Sequence, residues 1–143
     1  MFLYSKPTQY ALRALSFIVH YGGQDCCRAE QIAREEKIPK HFLSKILQRL
    51  ALAKILNSVK GPHGGFSCAR DPKQISLKQI VGVFEDLETN LNECAIGWAR
   101  CSDDQPCALH QRYKPLRQAI DQYLEATNLA TFIEAKKWKK SHQ

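Results

Sequence analysis

Pro39-Lys40-His41-Phe42-Leu43-Ser44-Lys45-Ile46-Leu47-Gln48-Arg49-Leu50 is the stretch that decides the fold, together with the residues just downstream to 69. Leu43, Ile46, Leu47 and Leu50 recur at helical spacing and make one apolar face, and Pro39 suits the first helical position. Residues 55–59 and 66–69 then read as two short strands. Between them, Lys60-Gly61-Pro62-His63-Gly64-Gly65 is a turn-rich hairpin tip. Upstream, residues 8–21 read as a helix through Ala11, Ala14, Leu15 and Ile18, stopped by Gly22-Gly23. Ala29, Ile32 and Ala33 mark a short second helix ending near Lys37. Three helices followed by a two-stranded hairpin is the order of a winged helix-turn-helix, whose third helix enters the major groove. The expected class is mainly α with a small β-wing.

The charge distribution points to the same segment. The chain has 143 residues, 21 Lys and Arg, and 14 Asp and Glu, for a formal net charge of +7. From 37 to 70 there is no Asp or Glu, and Lys37, Lys40, Lys45, Arg49, Lys54, Lys60 and Arg70 carry the whole excess. A localised basic surface on this topology points to a polyanion, here double-stranded DNA. Lys40, His41, Ser44, Lys45 and Gln48 lie off the apolar face of the third helix, where they can reach base edges and phosphates. Lys60, His63 and Gly64 are the corresponding wing candidates, the glycines admitting close backbone approach.

Further along, Ser76 is placed to N-cap a fourth helix with Leu77, Ile80, Val81 and Phe84 as its core face. From Thr89 to Pro106 the periodicity fails and a loop is expected. Pro106 is expected to open a long helix. There Leu109, Tyr113, Leu116, Ile120 and Tyr123 form a heptad-like seam suited to a second copy of the chain. The expected organisation is a DNA-binding domain over 1–88, a cysteine loop over 89–107, and a dimerisation helix with C-terminal segment over 106–135. The tail Lys136-Lys137-Trp138-Lys139-Lys140 reads as frayed and solvated. No apolar run is long enough to cross a bilayer, and the N-terminus lacks the pattern of a secretory signal, so a cytoplasmic protein is expected.

Six cysteines divide into two groups. Cys26, Cys27 and Cys68 read as structural or incidental. Cys94, Cys101 and Cys107 crowd into one segment, and His110 follows three residues after the last. With a helix opening at Pro106, Cys107 falls in its first turn and His110 on the same face. Three thiolates and an imidazole can hold zinc or an iron–sulfur cluster, and the wide gaps suit the larger object.

The chain resembles the iron–sulfur-cluster regulators of bacteria, the group that includes IscR-type and nitric-oxide-sensing NsrR-type repressors. The resemblance rests on Gln9-Tyr10-Ala11-Leu12-Arg13-Ala14-Leu15, on residues 32–50, on Val59-Lys60-Gly61-Pro62-His63-Gly64-Gly65-Phe66, and on the cysteine triplet. It implies Cys94, Cys101 and Cys107 as cluster ligands, with His110 matching the fourth ligand of IscR-type members. NsrR-type members can use an acidic residue from the partner's first helix; the matching position holds Gln9, which favours His110. Either a [2Fe-2S] or a [4Fe-4S] cluster, one per subunit, is compatible. Where IscR-type members carry a glutamate on the recognition helix this chain has Ser44, so His41, Ser44 and Lys45 are the expected base readers.

The expectation is therefore a homodimeric regulator, in the repressor mould, that binds a pseudo-palindromic operator under control of the cluster. A thiol–disulfide or zinc switch on the same DNA reader is the alternative. No C-x-x-C pair, phosphate loop or nucleotide fingerprint points to an enzyme.

Overall fold

The first helix starts at Ser5, whose hydroxyl accepts the amide of Thr8, so α1 spans Lys6–Tyr21 and begins two residues before its periodicity becomes visible. The computed structural model describes residues 4–22 and 25–135. Gly22 caps α1, while Gly23 and the basic tail lie outside the described residues. Helix α2, Ala29–Glu36, ends on Lys37 in the left-handed region at φ 55°. That residue, Ile38 and Pro39 make the turn into α3, Lys40–Leu52. Pro39 is the N-cap of α3 rather than its first helical residue, because its ψ of 128° is extended.

Strands β1, Leu56–Val59, and β2, Gly65–Cys68, pair antiparallel with Leu56 opposite Cys68 and Val59 opposite Gly65. Both strands are shifted or trimmed by one residue from the pattern-based ranges. Cys27 adds a bridge on the other edge of β2: its amide donates to the Phe66 carbonyl at 2.9 Å, and its carbonyl accepts the Phe66 amide at 2.8 Å. The wing is thereby stitched to the segment that enters α2. Gly65 is required there, at φ +147°, since a Cβ would meet the Cys27 carbonyl oxygen at 2.5 Å.

After a short 3-10 turn at Pro72–Gln74, Ser76 opens α4, Leu77–Gly82, with a capping box completed by Gln79. Phe84 lies past the end of α4 and packs on the core from the following turn. The expected loop contains a further helix, α5, Leu87–Asn92, capped by Asp86. Helix α6 is His110–Ala126, so it opens four residues later than Pro106. Cys107 therefore precedes the helix, joined to it by a turn in which the His110 amide donates to the Cys107 carbonyl at 3.1 Å.

One core holds the three-helix unit together, with Ala11, Leu15, Ile32, Leu43, Leu47, Leu50, Ile55 and Ile80 buried in it. The chain returns to this core after α6. The Leu77 amide donates to Thr127 at 2.7 Å and the Leu129 amide to Ile75 at 3.0 Å, placing Leu129 inside the core. Helix α7, Thr131–Glu134, then packs with Phe132 against the same core. Residues 127–135 thus complete the unit begun by residues 4–88. Helix α6 is anchored to α4 by Leu124, buried with Leu77 and Val81, and by Lys78 pairing with Asp121 and Glu125 at 2.8 and 3.2 Å.

Candidate functional site

Two surfaces carry the residues singled out from sequence. On α3, Leu43, Ile46, Leu47 and Leu50 take the buried face, which leaves Lys40, His41, Lys45 and Gln48 exposed and Ser44 half-buried. The His41 ring stacks on Phe42 at 4.1 Å. Lys40 reaches back to Glu30 of α2 at 2.9 Å, an exposed pair that holds the Glu30 carboxyl below its usual range. Such a pair is weak enough for a phosphate to displace. Arg49, counted within the basic window, is committed elsewhere: its guanidinium donates to the Val83 carbonyl and covers the Phe84 ring at 4.7 Å. It ties α3 to the end of α4.

On the wing, Lys60 and His63 are exposed at the tip. Gly64 is set within the tip rather than exposed on it. It is buried, its amide donates to Gly61 at 3.0 Å, and a Cβ there would meet the Val59 carbonyl oxygen at 2.1 Å. Its part is to let the tip fold.

The second surface lies between α5 and α6. The sulfurs of Cys94, Cys101 and Cys107 all fall within 4.8 Å of one another. Cys107 is buried and the other two are half-buried. Burial opposes ionisation of Cys94, but the amides of Ile96 and Trp98, then the thiols of Cys107 and Cys101, outweigh it and bring the thiol down to about 7. At Cys101 the amide of Cys107 favours the thiolate, yet burial and the two neighbouring thiols together push the group up. His110, 6 % exposed, stands beside them with Nδ1 3.2 Å from the Cys101 sulfur. Its Nε2 meets Asp103 Oδ1 at 2.9 Å, and Lys114 bonds both oxygens of that carboxylate at 2.9 and 2.7 Å. Asp103 and Lys114 were not singled out from sequence; their only signal is position, between two cysteines and one turn beyond His110.

This donor set, three soft sulfurs and one imidazole nitrogen, fits zinc or an iron–sulfur cluster. By contrast, Cys27 and Cys68 have thiols pushed up by burial, Cys68 to about 11, as befits packing residues. Gln9 is exposed and its side-chain amide donates to the Tyr4 carbonyl at 3.1 Å. Leu109, the N-cap of α6, and Leu116 and Tyr123 along it are 47, 48 and 45 % exposed, whereas Tyr113 and Ile120 are half-buried. Ile120 packs on the α4–α6 cluster, and the Tyr123 hydroxyl meets that of Tyr4 at 2.7 Å. No helix among the described residues is long and apolar enough to cross a membrane.

The family model Rrf2, described as iron-dependent transcriptional regulator, matches residues 4–135. A protein of Aquifex aeolicus named as an HTH-type transcriptional regulator is 32 % identical over 133 residues, covering 92 % of this chain and 91 % of that one. The HTH-type transcriptional regulator NsrR of Geobacillus kaustophilus is 29 % identical over 128 residues, covering 89 and 86 %. Among solved structures, CymR, the global cysteine regulator of B. subtilis, superposes with a TM-score of 0.77 at 21 % identity, covering 94 % of this chain and 98 % of that one. That similarity carries the winged-helix fold.

Proposed function

The chain belongs to the Rrf2 family of transcriptional regulators, and from that premise we propose that it is a homodimeric DNA-binding repressor whose operator affinity is set by an iron–sulfur cluster held on Cys94, Cys101, Cys107 and His110. The observation that carries this reading is the convergence of the three sulfurs at the foot of α6, with His110 Nδ1 3.2 Å from that of Cys101. A cluster bound there supplies a redox-active and ligand-reactive centre.

The chain's own residues connect that site to the DNA reader. Lys114 on α6 grips Asp103 in the cysteine loop, and Arg117 of α6 donates to the Glu93 carbonyl at 2.6 Å. Helix α6 is fixed to α4 through Leu124 and Lys78, and the turn after α4 is fixed to α3 through Arg49. A change in the loop is felt at α3 to the extent that it favours one arrangement of these contacts. Coupling of about 1–3 kcal/mol changes affinity about 5- to 150-fold. The exposed stripe Leu109, Leu116, Tyr123 is the proposed dimer seam. Two copies joined there present their α3 helices to successive major grooves, about 34 Å apart, on a pseudo-palindrome. Lys45 and Lys60 hold phosphates, and His41 and Ser44 read bases.

One observation favours a second reading, a zinc or thiol–disulfide switch at the same place. The three sulfurs lie within 4.8 Å of one another, a group compact enough to share one tetrahedral zinc ion. Anaerobic reconstitution with iron and sulfide separates the two. Under the cluster reading, Cys94→Ala, Cys101→Ala and Cys107→Ala each lose the chromophore, while Cys26→Ala, Cys27→Ala and Cys68→Ala keep it. A protein that stays colourless but takes up one zinc per chain supports the second reading.

A further inference from the structure

His110 uses its two ring nitrogens in opposite directions. Nδ1 faces the Cys101 sulfur at 3.2 Å, and Nε2 faces Asp103 at 2.9 Å. A neutral imidazole has one N–H and one lone pair. A carboxylate accepts and cannot donate, so Asp103 claims the N–H for Nε2 and leaves the lone pair on Nδ1, on the side of the Cys101 sulfur. Asp103 does not stand alone: Lys114 Nζ bonds both of its oxygens, at 2.9 and 2.7 Å. Lys114 lies one turn beyond His110 on α6, so a single helix carries both the imidazole and the cation that grips its orienting carboxylate.

We propose that Asp103 and Lys114 form a clasp that fixes His110 as the Nε2–H tautomer and aims Nδ1 as the fourth donor of the cysteine site. The inference rests on the reading of Cys94, Cys101, Cys107 and His110 as one metal-binding site, and assigns positioning roles to two residues outside it. Asp103 is 64 % and Lys114 39 % exposed. Exposed ion pairs add little to folding, so stability gives no account of a bidentate grip on a loop carboxylate that also orients a buried ring. A carboxylate behind a ligating histidine fixes its orientation and raises its basicity as a ligand, and losing such a partner costs about 10- to 100-fold in metal affinity. Asp103 is a poor candidate for a direct ligand here, because its oxygens are already engaged by His110 and Lys114.

Two measurements on the full chain, anaerobic and reduced, test the clasp. The first is titration with cobalt(II) alone, followed through thiolate-to-cobalt charge transfer. Asp103→Ala is expected to weaken cobalt binding about 10- to 100-fold with the charge-transfer intensity of three thiolates retained. Asp103→Glu restores most of the affinity, and Lys114→Met loses several-fold. Combining Asp103→Ala with His110→Ala adds nothing to His110→Ala alone, because Asp103 acts through the imidazole. The second is the tautomer of His110 in the metal-free chain, read from long-range nitrogen–proton correlations. It is Nε2–H in the wild type and mixed in Asp103→Ala.

Wild-type cobalt affinity and an unchanged tautomer in Asp103→Ala overturn the clasp, as do independent losses from Asp103→Ala and His110→Ala. If His110→Ala binds cobalt like the wild type while each Cys→Ala does not, the clasp fails and the thiolate site survives. If the Cys→Ala variants also bind like the wild type, the site reading fails with it.

Discussion

Replacing Leu116 by glutamate tests the dimer seam proposed for α6. Leu116 is 48 % exposed in the single chain, in line with Leu109 and Tyr123. Burying a leucine side chain fully is worth about 1.5–3 kcal/mol, so covering the exposed half against a partner gives about 1 kcal/mol. A two-fold interface counts it twice, about 2 kcal/mol. Glutamate forfeits that and brings two carboxylates into an apolar seam, at a cost of about 1–2 kcal/mol each after they neutralise or reach solvent. The resulting loss of about 4–6 kcal/mol lowers the dimer constant by about three to four powers of ten. Leu116 is a cleaner probe than Ile120, which packs on the α4–α6 cluster within its own chain. Sedimentation velocity across nanomolar to micromolar concentrations is the assay, with circular dichroism to verify the fold. The wild type is expected to sediment as a dimer, and Leu116→Glu as a folded monomer with weak operator binding. A Leu116→Glu chain with an unchanged dimer constant refutes the seam and moves the interface off this face of α6.

Lys45→Ala is expected to weaken binding to all DNA sequences and to reduce the salt slope by about 0.9 per lost phosphate contact, whereas Ser44→Ala changes which sequence is preferred; anisotropy titrations at several salt concentrations read both. Gly65→Ala drives a Cβ toward the Cys27 carbonyl oxygen and lowers the melting temperature by several degrees, while Gly82→Ala, whose Cβ would find only ordinary contact with Leu87, leaves it within a degree or two. Burial pushes the Glu85 carboxyl up, but hydrogen bonding by the Ser5 side chain, the Thr8 hydroxyl and the Ser5 amide outweighs it and holds the group below the usual carboxylate range. Because the folded value lies below the unfolded one, Glu85 contributes stability above the unfolded value and loses it as pH falls through the folded one. Thermal melts from about pH 6 to pH 3 therefore fall less steeply for Glu85→Gln than for the wild type.

The elements legible in the sequence are those whose burial follows a local period. Leu15, Leu43, Leu47, Leu50 and Ile80 sit at the expected positions and are all fully buried. The wing was legible because its turn chemistry interrupts two short apolar runs. Helix α5 was not: Leu87 and Leu91 are half-buried and the rest of it is exposed, so no apolar stripe marks it. The start of α6 was misplaced because Pro106 fits a helical first turn on local grounds, whereas the chain uses residues 107–109 for a turn that sets Cys107 beside His110. The return of residues 127–135 to the first core depends on backbone pairing of Asn128 with Ser76, which no local period reveals. At the site, spacing alone brought out the three cysteines and the histidine. Asp103 carries no such signal, since its contact with His110 depends on a ring nitrogen that only the fold brings within reach. Charge counting likewise cannot tell that Arg49, within the basic window, binds the Val83 carbonyl and covers the Phe84 ring.

Occupancy of the cysteine site and DNA affinity are proposed to be linked. The direct test is one anaerobic preparation, characterised by visible and Mössbauer spectra, divided into loaded and stripped halves, and titrated with the same operator at the same salt. Linkage predicts affinities that differ about 5- to 150-fold between the halves, with the difference abolished in Cys101→Ala. Equal affinities for loaded and stripped wild type would contradict it, leaving a DNA reader and a metal site that do not communicate.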